Sequence, residues 1–231
     1  ELIGRTLGVL GLGAIGSMVA DIALQLDMKV LGFDPALSVE SAWRLSSRVQ
    51  KMDTIDALFA RSDLVTLHVP ALPETEKMVN ATLLAAMKPG SVLLNFARGE
   101  IVDTAAIKAA LTAGQLGQYI SDFPVPELVN MPGVLSTPHL GASTDEAEDN
   151  CAIMAADQLM DFMTNGNIKN SVNFPNLHLE RSQLGCRIAL SNRNVPRILG
   201  RVLSVLADRN INVIDMINKS RNEIAYNLID I

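Results

Sequence analysis

A glycine-rich turn between a strand pattern and a helix pattern is the feature that most constrains how this sequence folds. Gly11, Gly13 and Gly16 follow the apolar run TLGVL at 6–10 in the spacing GxGxxG. Gly11 permits a tight turn, Gly13 permits close approach of a pyrophosphate, and Gly16 permits close packing of helix and strand. Because the helix N-terminus presents free N–H groups and a partial positive charge, the turn predicts a dinucleotide site.

Asp34 strengthens that prediction and selects the dinucleotide. It ends the next strand pattern, KVLGFD at 29–34, 18 residues after Gly16. A carboxylate there accepts hydrogen bonds from the adenosine ribose and repels a 2′-phosphate, and no arginine follows directly, so NAD is favoured over NADP. A tight structural turn in a nucleotide-free domain is the alternative, which the combination of strand, spacing and acid disfavours.

Strand and helix patterns alternate from residue 6 to about 140. The strands are apolar along their whole length, which suits a parallel sheet covered on both faces. The alternation predicts a doubly wound α/β domain of Rossmann type over residues 1–142. The expected strands are 6–11, 29–34, 64–69, 91–96, 117–123 and 134–137, and the expected helices are 14–26, 53–60 and 103–113.

A second, smaller region follows this domain. A long helix is expected over about 144–165, because acidic residues fill its first turn and Gly166 suits its end. We expect residues 143–166 to form this helix and 167–184, which contain Pro175, to form a linker. Residues 185–231 then predict a partial α+β module that ends before its last helix and strand. Its expected elements are a strand at 187–191, a helix at 196–209 and strands at 212–218 and 223–231.

Composition and charge exclude several classes of function. The net charge is −6 and no run of lysine or arginine occurs, so nucleic-acid binding is not expected. No apolar run approaches the roughly 18–20 residues that span a bilayer, and no secretory signal is recognisable. Cys151 and Cys186 are too few for a disulfide framework and lack metal-ligand spacing, so a metal-free protein in the cytoplasm is expected.

Three side chains after strand patterns are candidates for hydride chemistry, which needs a base, a cation for a substrate carboxylate and a cofactor ring. Arg98 follows the strand at 91–96 and suits a bidentate grip on a carboxylate. His139 follows the strand at 134–137 and titrates near working pH. Glu127 lies in the loop after Asp122. Taken singly, each is as readily a solvated or structural side chain, so the three must be weighed together.

Five segments together resemble the D-isomer-specific 2-hydroxy-acid dehydrogenase family, in matching order and spacing over about residues 5–165. The resemblance implies that Arg98 holds the substrate carboxylate and the C2 oxygen. It also implies that His139 takes the hydroxyl proton as hydride leaves C2, and that Glu127 orients the imidazole. The segments are GLGAIG at 11–16 with Asp34, HVPALPET at 68–75, NFARGEIVD at 95–103, SDFPVPE at 121–127 and TPHLGAST at 137–144.

The same resemblance implies which residues contact the cofactor, NAD. They come from the glycine turn and from the loops after four further strands. His68, beside them, is expected to support its loop. The implied contacts are Gly11, Gly13, Ala14, Ile15, Asp34, Val69, Phe96, Ala97, Arg98, Asp122, His139, Gly141 and Ala142.

The tail at 187–231 is similar to an ACT domain, an amino-acid-sensing module that some enzymes of this family carry. Asn192 stands where a histidine is usual, and Arg197 replaces a glycine that lets the backbone approach the effector. Arg197 is large enough to fill that pocket, which puts inhibition by serine in doubt. The positions that match the effector pattern are Asn194, Pro196 and Asn212.

The resemblance implies NAD-dependent oxidation of a small 2-hydroxy acid. The ACT-like tail narrows the expected substrate to 3-phosphoglycerate, the starting point of serine biosynthesis. Two alternatives stay open: an enzyme of the same family acting on lactate, glycerate or a bulkier acid, and a non-catalytic NAD-sensing protein such as the corepressors of this fold. Homo-oligomers are expected, since family members dimerise through the cofactor domain and ACT modules pair edge to edge.

The chain also departs from the family at its ends. It opens directly into a strand pattern, without the N-terminal part of the substrate domain. We expect a chain of this extent to bind NAD and to turn over poorly.

Overall fold

The computed structural model describes residues 2–140, 143–182 and 184–231. The chain divides into two compact units, residues 1–144 and residues 145–231. Among the described residues, no helix combines the length and the apolar character needed to cross a membrane.

The first unit is built on a parallel sheet in the order β3-β2-β1-β4-β5-β6-β7. The chain builds outward from β1 to β3 and then restarts on the other side of β1 with β4. This reversal is a topological switch point, where the carboxyl ends of two strands leave a crevice between their loops. The strands are β1 (Thr6–Leu10), β2 (Lys29–Phe33), β3 (Gln50–Lys51), β4 (Leu64–Leu67), β5 (Ser91–Asn95), β6 (Leu116–Ser121) and β7 (Val134–Ser136).

Helices cover both faces of this sheet. Leu10 belongs to an apolar cluster that includes side chains of α3, α4 and α5, whereas Val9 belongs to a second cluster that includes side chains of α1. Adjacent residues of a strand point to opposite faces, so β1 is covered on both. The helices are α1 (Ala14–Gln25), α2 (Val39–Arg44), α3 (Ile55–Arg61), α4 (Ala81–Ala86) and α5 (Thr104–Thr112), with a 3₁₀ turn at Gly99–Ile101.

The predicted doubly wound fold is confirmed, and the predicted strands and helices of this unit lie within two residues of their observed ends. The sequence patterns missed α2, α4 and β3, which have six, six and two residues. Elements this short carry little periodicity. Helix α4 depends instead on Asn80, whose side chain accepts a hydrogen bond from Leu83 N at 3.1 Å, and on buried leucines.

The second unit begins with a long helix and ends in a small antiparallel sheet in the order β8-β10-β9. The long helix ends at Gly166, whose φ of +72° is the left-handed conformation of a C-cap, as predicted. The last hairpin differs from the prediction in the position of β9, which begins and ends three residues later in the sequence than expected. A two-residue turn that starts at Asn222 (φ +53°) joins β9 to β10. The elements are α6 (Asp145–Asn165), β8 (Arg187–Arg193), α7 (Ile198–Ala207), β9 (Asp215–Arg221) and β10 (Ile224–Asp230).

Arg187 and Asp230 form a buried ion pair at facing ends of β8 and β10. The guanidinium donates to both carboxylate oxygens, at 2.6 and 2.7 Å, and the two side chains are 5% and 3% exposed. Arg187 also donates to the carbonyls of Asn165, Leu179 and Glu180. The pair therefore ties the end of α6 and the segment after it to the sheet. The hydrogen bonds from Arg187 hold the pKa of Asp230 below its ordinary value of 3.8.

We predict that Arg187→Met lowers the free energy of unfolding of the second unit by about 3–5 kcal/mol, because Asp230 is left buried without its partner. Arg181→Met is the control: Arg181 is exposed and donates one hydrogen bond to Thr164 O at 3.0 Å, so a loss below about 1 kcal/mol is expected. Hydrogen exchange measured on peptides from residues 145–231 reports both values. Equal stability of the two variants would contradict the role given to the pair.

The lowered pKa of Asp230 also fixes the sign of a pH effect. Its contribution to stability is complete above pH 3.8 and is lost as the pH falls through the lower folded-state pKa. The difference between wild type and Arg187→Met in the free energy of unfolding should therefore shrink below about pH 4.

Candidate active site

Two glycines of the turn after β1 are required by the fold itself. Gly11 has a φ of +89°, and a Cβ at this position would lie 2.6 Å from the carbonyl oxygen of His68. A Cβ on Gly16 would overlap the carbonyl oxygen of Gly11. Helix α1 therefore approaches β1 and the end of β4 more closely than it could if Gly11 or Gly16 were any other residue.

Gly13 is different, because nothing in the protein requires a glycine there. Its φ of −66° and ψ of −161° are extended backbone open to other residues, and an added Cβ would have no atom within 4 Å. The space lies at the N-terminus of α1. That terminus has no side-chain cap and no acid in its first turn, whereas Thr54, Asn80 and Asp103 cap α3, α4 and α5. Uncapped N–H groups beside open space fit the pyrophosphate of a dinucleotide.

Asp34 holds the glycine turn from the end of β2. Its carboxylate accepts hydrogen bonds from Leu12 N at 2.8 Å and from Ala36 N at 2.9 Å. Each oxygen keeps a second lone pair for a ribose hydroxyl. Asp34 lies at the rim of a cavity of about 530 Å³ that is lined mainly by apolar side chains, among them Leu12 and Pro35.

A cleft of about 510 Å³ brings together predicted residues from the loops after β1, β4 and β5. These are the three loops that meet at the switch point of the sheet. Seven of the predicted cofactor positions line the cleft. Asp34 is connected to it by the hydrogen bond that it accepts from Leu12 N, because Leu12 directly precedes Gly13 of the lining. The residues are Gly13, Ala14, Ile15, His68, Val69, Pro70, Ala71, Phe96, Ala97 and Arg98.

Arg98 is positioned by a buried amide that the sequence patterns did not single out. Asn95 is fully buried at the end of β5, and its Nδ2 donates to Arg98 O at 2.9 Å and to the Tyr119 hydroxyl at 3.2 Å. Its Oδ1 accepts from Ala97 N at 3.2 Å. The turn is thus fixed while the side chain of Arg98 stays exposed, with Nη1 donating to Ala97 O at 2.7 Å.

His139 is positioned by the buried carboxylate of Asp122. Oδ1 of Asp122 accepts from Thr137 Oγ1 at 2.6 Å and from Leu140 N at 3.0 Å, so its hydrogen bonds bracket the histidine on both sides. His139 has a φ of +56°, a left-handed conformation that is uncommon for residues other than glycine. The two hydrogen bonds to Asp122 hold the backbone in this conformation and leave the imidazole of His139 exposed.

Phe123 lies close to both the ring of His139 and the turn of Arg98. The rings of Phe123 and His139 are 4.8 Å apart between centroids and tilted by 54°. A Cβ on Gly99, the residue after Arg98, would lie 3.5 Å from Phe123 Cβ. Phe123 therefore connects the loops that carry two of the three predicted catalytic residues. Sequence reasoning missed this role, because it depends on contacts between separate loops.

Glu127 is not joined to them. It is exposed, and the hydrogen bonds and ion pairs of the described residues include none between Glu127 and His139. Gly141 and Ala142, two predicted cofactor contacts, lie outside the described residues. Within the described ranges, no three His, Cys, Asp or Glu side chains are grouped as metal ligands would be.

His68 forms part of the cleft wall. Its Nε2 lies 2.9 Å from Thr66 Oγ1, and a Cβ on Gly16 would lie 3.4 Å from its Cβ. Burial lowers the pKa of His68 from 6.5, so the ring is neutral at pH 7. This placement agrees with the predicted role of supporting the loop.

Comparison with known proteins places these features in a family. The sequence profile of the D-isomer specific 2-hydroxyacid dehydrogenase, NAD binding domain, matches residues 1–141. D-3-phosphoglycerate dehydrogenase 2 of Saccharomyces cerevisiae is 35% identical over 100% of this chain and 53% of its own length. D-3-phosphoglycerate dehydrogenase of Escherichia coli is 33% identical, over 100% of this chain and 58% of its own. The chain spans about half the length of the curated relatives it matches.

Solved structures show the same likeness over a smaller part of the chain. The NAD-complexed D-isomer specific 2-hydroxyacid dehydrogenase of Lactobacillus delbrueckii ssp. bulgaricus has a TM-score of 0.62 at 30% identity, over 71% of this chain and 56% of its own. The D-mandelate dehydrogenase of Rhodotorula graminis has a TM-score of 0.64 at 32% identity, over 69% of this chain and 48% of its own.

The contrast between Gly13 and Gly16 gives a test of the cofactor site. Gly13→Ala should weaken NAD binding by about tenfold or more, because the methyl group occupies space at the helix N-terminus, and should leave the Tm unchanged. Gly16→Ala should lower the free energy of unfolding by about 1–3 kcal/mol through its overlap with Gly11. Calorimetric titration with NAD and thermal melting measure the two effects.

Gly200→Ala is the matched control, since an added Cβ there also meets no atom within 4 Å. Gly200→Ala should leave NAD affinity unchanged. It should also leave stability unchanged, apart from the small gain that alanine gives over glycine in a helix. Unchanged NAD affinity in Gly13→Ala would overturn the placement of the pyrophosphate.

Proposed function

The chain belongs to the D-isomer specific 2-hydroxyacid dehydrogenase family, and we propose that it carries out the NAD-dependent oxidation of D-3-phosphoglycerate to 3-phosphohydroxypyruvate, a step of serine biosynthesis. One observation carries the choice of substrate. The relatives named D-3-phosphoglycerate dehydrogenase in Saccharomyces cerevisiae and Escherichia coli match the whole chain, second unit included, whereas the mandelate and lactate dehydrogenase structures match 69–71% of it.

NAD fits the residues that the cleft presents. Gly13 and the uncapped N-terminus of α1 would hold the pyrophosphate, and Asp34 would accept hydrogen bonds from the ribose. Asp34 also favours NAD over NADP, because a 2′-phosphate would meet its negative charge. When bound, NAD supplies the acceptor for the hydride that the substrate loses.

Arg98 and His139 divide the remaining chemistry in this proposal. The exposed guanidinium of Arg98 binds the substrate carboxylate and, through a second N–H, the oxygen on C2. The imidazole of His139 takes the proton of the C2 hydroxyl as the C2–H bond breaks, and the C2–O bond becomes a carbonyl. Phe123 contacts the ring of His139 and lies next to the turn of Arg98, so it joins the two loops that carry these groups.

Glu127 is assigned the part of orienting His139, on the strength of its position in the family motif. It lies on the same connection between β6 and β7 as Phe123, which contacts the imidazole. Its carboxylate must move to meet the imidazole, and substrate binding is the event that we expect to bring them together. Held there, the carboxylate would stabilise the protonated imidazole that forms during the reaction.

We predict that His139→Asn lowers kcat for 3-phosphoglycerate by about 10²–10⁴-fold, since the base is removed. NAD affinity should stay within about twofold, because the pyrophosphate and ribose sites are untouched. Steady-state rates and calorimetric titration with NAD measure the two quantities. An unchanged rate would reject the base and favour a non-catalytic NAD-sensing protein.

Substrate choice is tested by comparing kcat/KM for D-3-phosphoglycerate, D-glycerate and D-lactate. The phosphorylated acid should be preferred by at least about 100-fold, because a site built for a phosphate leaves charged groups unpaired when the phosphate is missing. A preference for either unphosphorylated acid would replace the proposed substrate by another of the same family and leave the chemistry intact.

We further propose that residues 187–231 form an ACT-like module that binds an amino-acid effector and pairs with a second copy. In support, the described strands form an antiparallel sheet in the order β8-β10-β9, and a strand at an edge of such a sheet, as β9 is, carries unpaired backbone groups that suit edge-to-edge pairing. Arg197 has a φ of +74°, a conformation that favours the glycine usual there. The side-chain amide of Asn192 is already engaged in hydrogen bonds within the protein, because it donates to Arg193 O and accepts from Asn227 Nδ2. Effector contacts must therefore differ from the usual serine pattern.

A cytoplasmic, reducing setting is part of the same proposal. Cys151 and Cys186 are both unpaired and exposed, which suits a compartment that keeps thiols reduced.

A further inference from the structure

Phe123 makes the contact that restricts the direction of the His139 imidazole. The hydrogen bonds that Asp122 accepts from Thr137 and Leu140 fix the backbone on both sides of His139, but they leave its side-chain torsions free. Among the described residues, no hydrogen bond or ion pair joins the imidazole to another side chain. Its ring lies instead 4.8 Å from that of Phe123, centroid to centroid, so the phenyl ring limits how the imidazole turns.

Phe123 is itself held in place by its neighbours. Its backbone N–H donates to Ser121 Oγ at 3.1 Å, and Ser121 is fully buried at the end of β6. Its side chain is half-buried. A Cβ on Gly99 would lie 3.5 Å from Phe123 Cβ and 3.9 Å from Phe123 Cγ, so the chain at Gly99 packs against the base of the ring. A ring fixed at its base offers the imidazole of His139 a defined surface.

The contact bears on charge as well as on direction. In the proposed reaction the imidazole of His139 gains a positive charge when it takes the hydroxyl proton of the substrate. A cation within about 6 Å of the centre of an aromatic ring is attracted by the negative face of that ring. The 4.8 Å between the two rings lies inside this range, and a tilt of 54° allows the edge of the imidazole to point at the phenyl face.

Phe123 is in position before a substrate binds, whereas Glu127 is not. The family motif gives roles to Asp122 and Glu127 and none to the residue after Asp122. In the structure Glu127 is exposed and its carboxylate must move to reach His139, while the phenyl ring is already in contact with the imidazole. The phenyl ring is therefore the group that acts on His139 from the start of the reaction.

We propose that Phe123 is a positioning residue of the active site, which directs the imidazole of His139 and stabilises its protonated form through the face of the phenyl ring. This role rests on the proposed dehydrogenase function, because it needs His139 to be the base. Phe123 acts through His139 and binds neither NAD nor substrate. Its loss should therefore lower kcat and leave KM and NAD affinity close to their wild-type values.

Proton NMR of the ligand-free protein tests the contact without any turnover. The chain has three histidines, and the ring signals of His139 are those that disappear in His139→Asn. Protons above the face of a phenyl ring are shifted upfield, so the His139 ring signals should move downfield in Phe123→Leu. They should stay in place in Glu127→Gln, because Glu127 does not contact the imidazole. Unchanged signals in Phe123→Leu, or a move upfield, would overturn the proposal.

Steady-state kinetics with 3-phosphoglycerate test the role in turnover. Phe123→Leu keeps an apolar side chain but removes the aromatic face, and should lower kcat about 3–30-fold while KM and NAD affinity stay within about twofold. Phe123→Tyr keeps the ring and should retain kcat within about twofold. Phe174→Leu is the matched control, since Phe174 meets the ring of Tyr226 at 5.8 Å in the second unit, and should leave kcat unchanged. Wild-type kcat in Phe123→Leu would overturn the role.

Replacement of Phe123 by pentafluorophenylalanine separates charge from shape. The ring keeps nearly the same outline, but the fluorine atoms reverse the charge of its face, so kcat should fall at least as far as in Phe123→Leu. Wild-type kcat in this variant would mean that the ring acts by packing alone, against the proposal. Failure of the dehydrogenase proposal is distinguishable, because the wild type would then turn over none of the 2-hydroxy acids. Failure of the role of Phe123 alone leaves wild-type turnover that Phe123→Leu does not change.

Discussion

The structure of the first unit depends on how closely the start of α1 approaches the ends of β1 and β4. That approach exists only because Gly11 and Gly16 have no Cβ, since a side chain at either position would meet the backbone. It brings the helix N-terminus to the switch point of the sheet, where the loops after β1, β4 and β5 converge. The cofactor cleft is thus a consequence of packing in the fold, and Gly13 alone among the three is left for the ligand.

Buried polar side chains at the ends of β5 and β6 convert that cleft into a candidate active site. Asn95 fixes the turn that presents Arg98, and Asp122 fixes the backbone on both sides of His139. Each satisfies several groups from a position with little access to water, so its hydrogen bonds have little competition from solvent. The exposed side chains of Arg98 and His139 are therefore held by buried neighbours.

The parts of the fold that sequence reasoning predicted are those whose signal is local. Apolar strands, the glycine spacing and the longer helices are all specified within short segments, and α6 ended before Gly166, as expected. The roles of Asn95 and Phe123 could not be predicted in this way, because their partners come from other loops. Glu127 was grouped with His139 by its motif, and in the structure the two are unpaired. Helix α4 was missed because its six residues show little periodicity, and the position of β9 was missed because the pattern did not reveal the turn at Asn222.

The strand order of the small sheet has a consequence for how the protein is made. Strand β10 is central, yet it follows both of its neighbours in the sequence. During synthesis, β8 can pair with β10 only after residues 31 to 43 positions later in the sequence have left the ribosome. In the first unit, β1 waits in the same way for β4, since Leu7 pairs with Leu64. Until its partner is made, β8 has no β10 to occupy its backbone groups, and a strand unpaired in this way is prone to aggregate in the nascent chain.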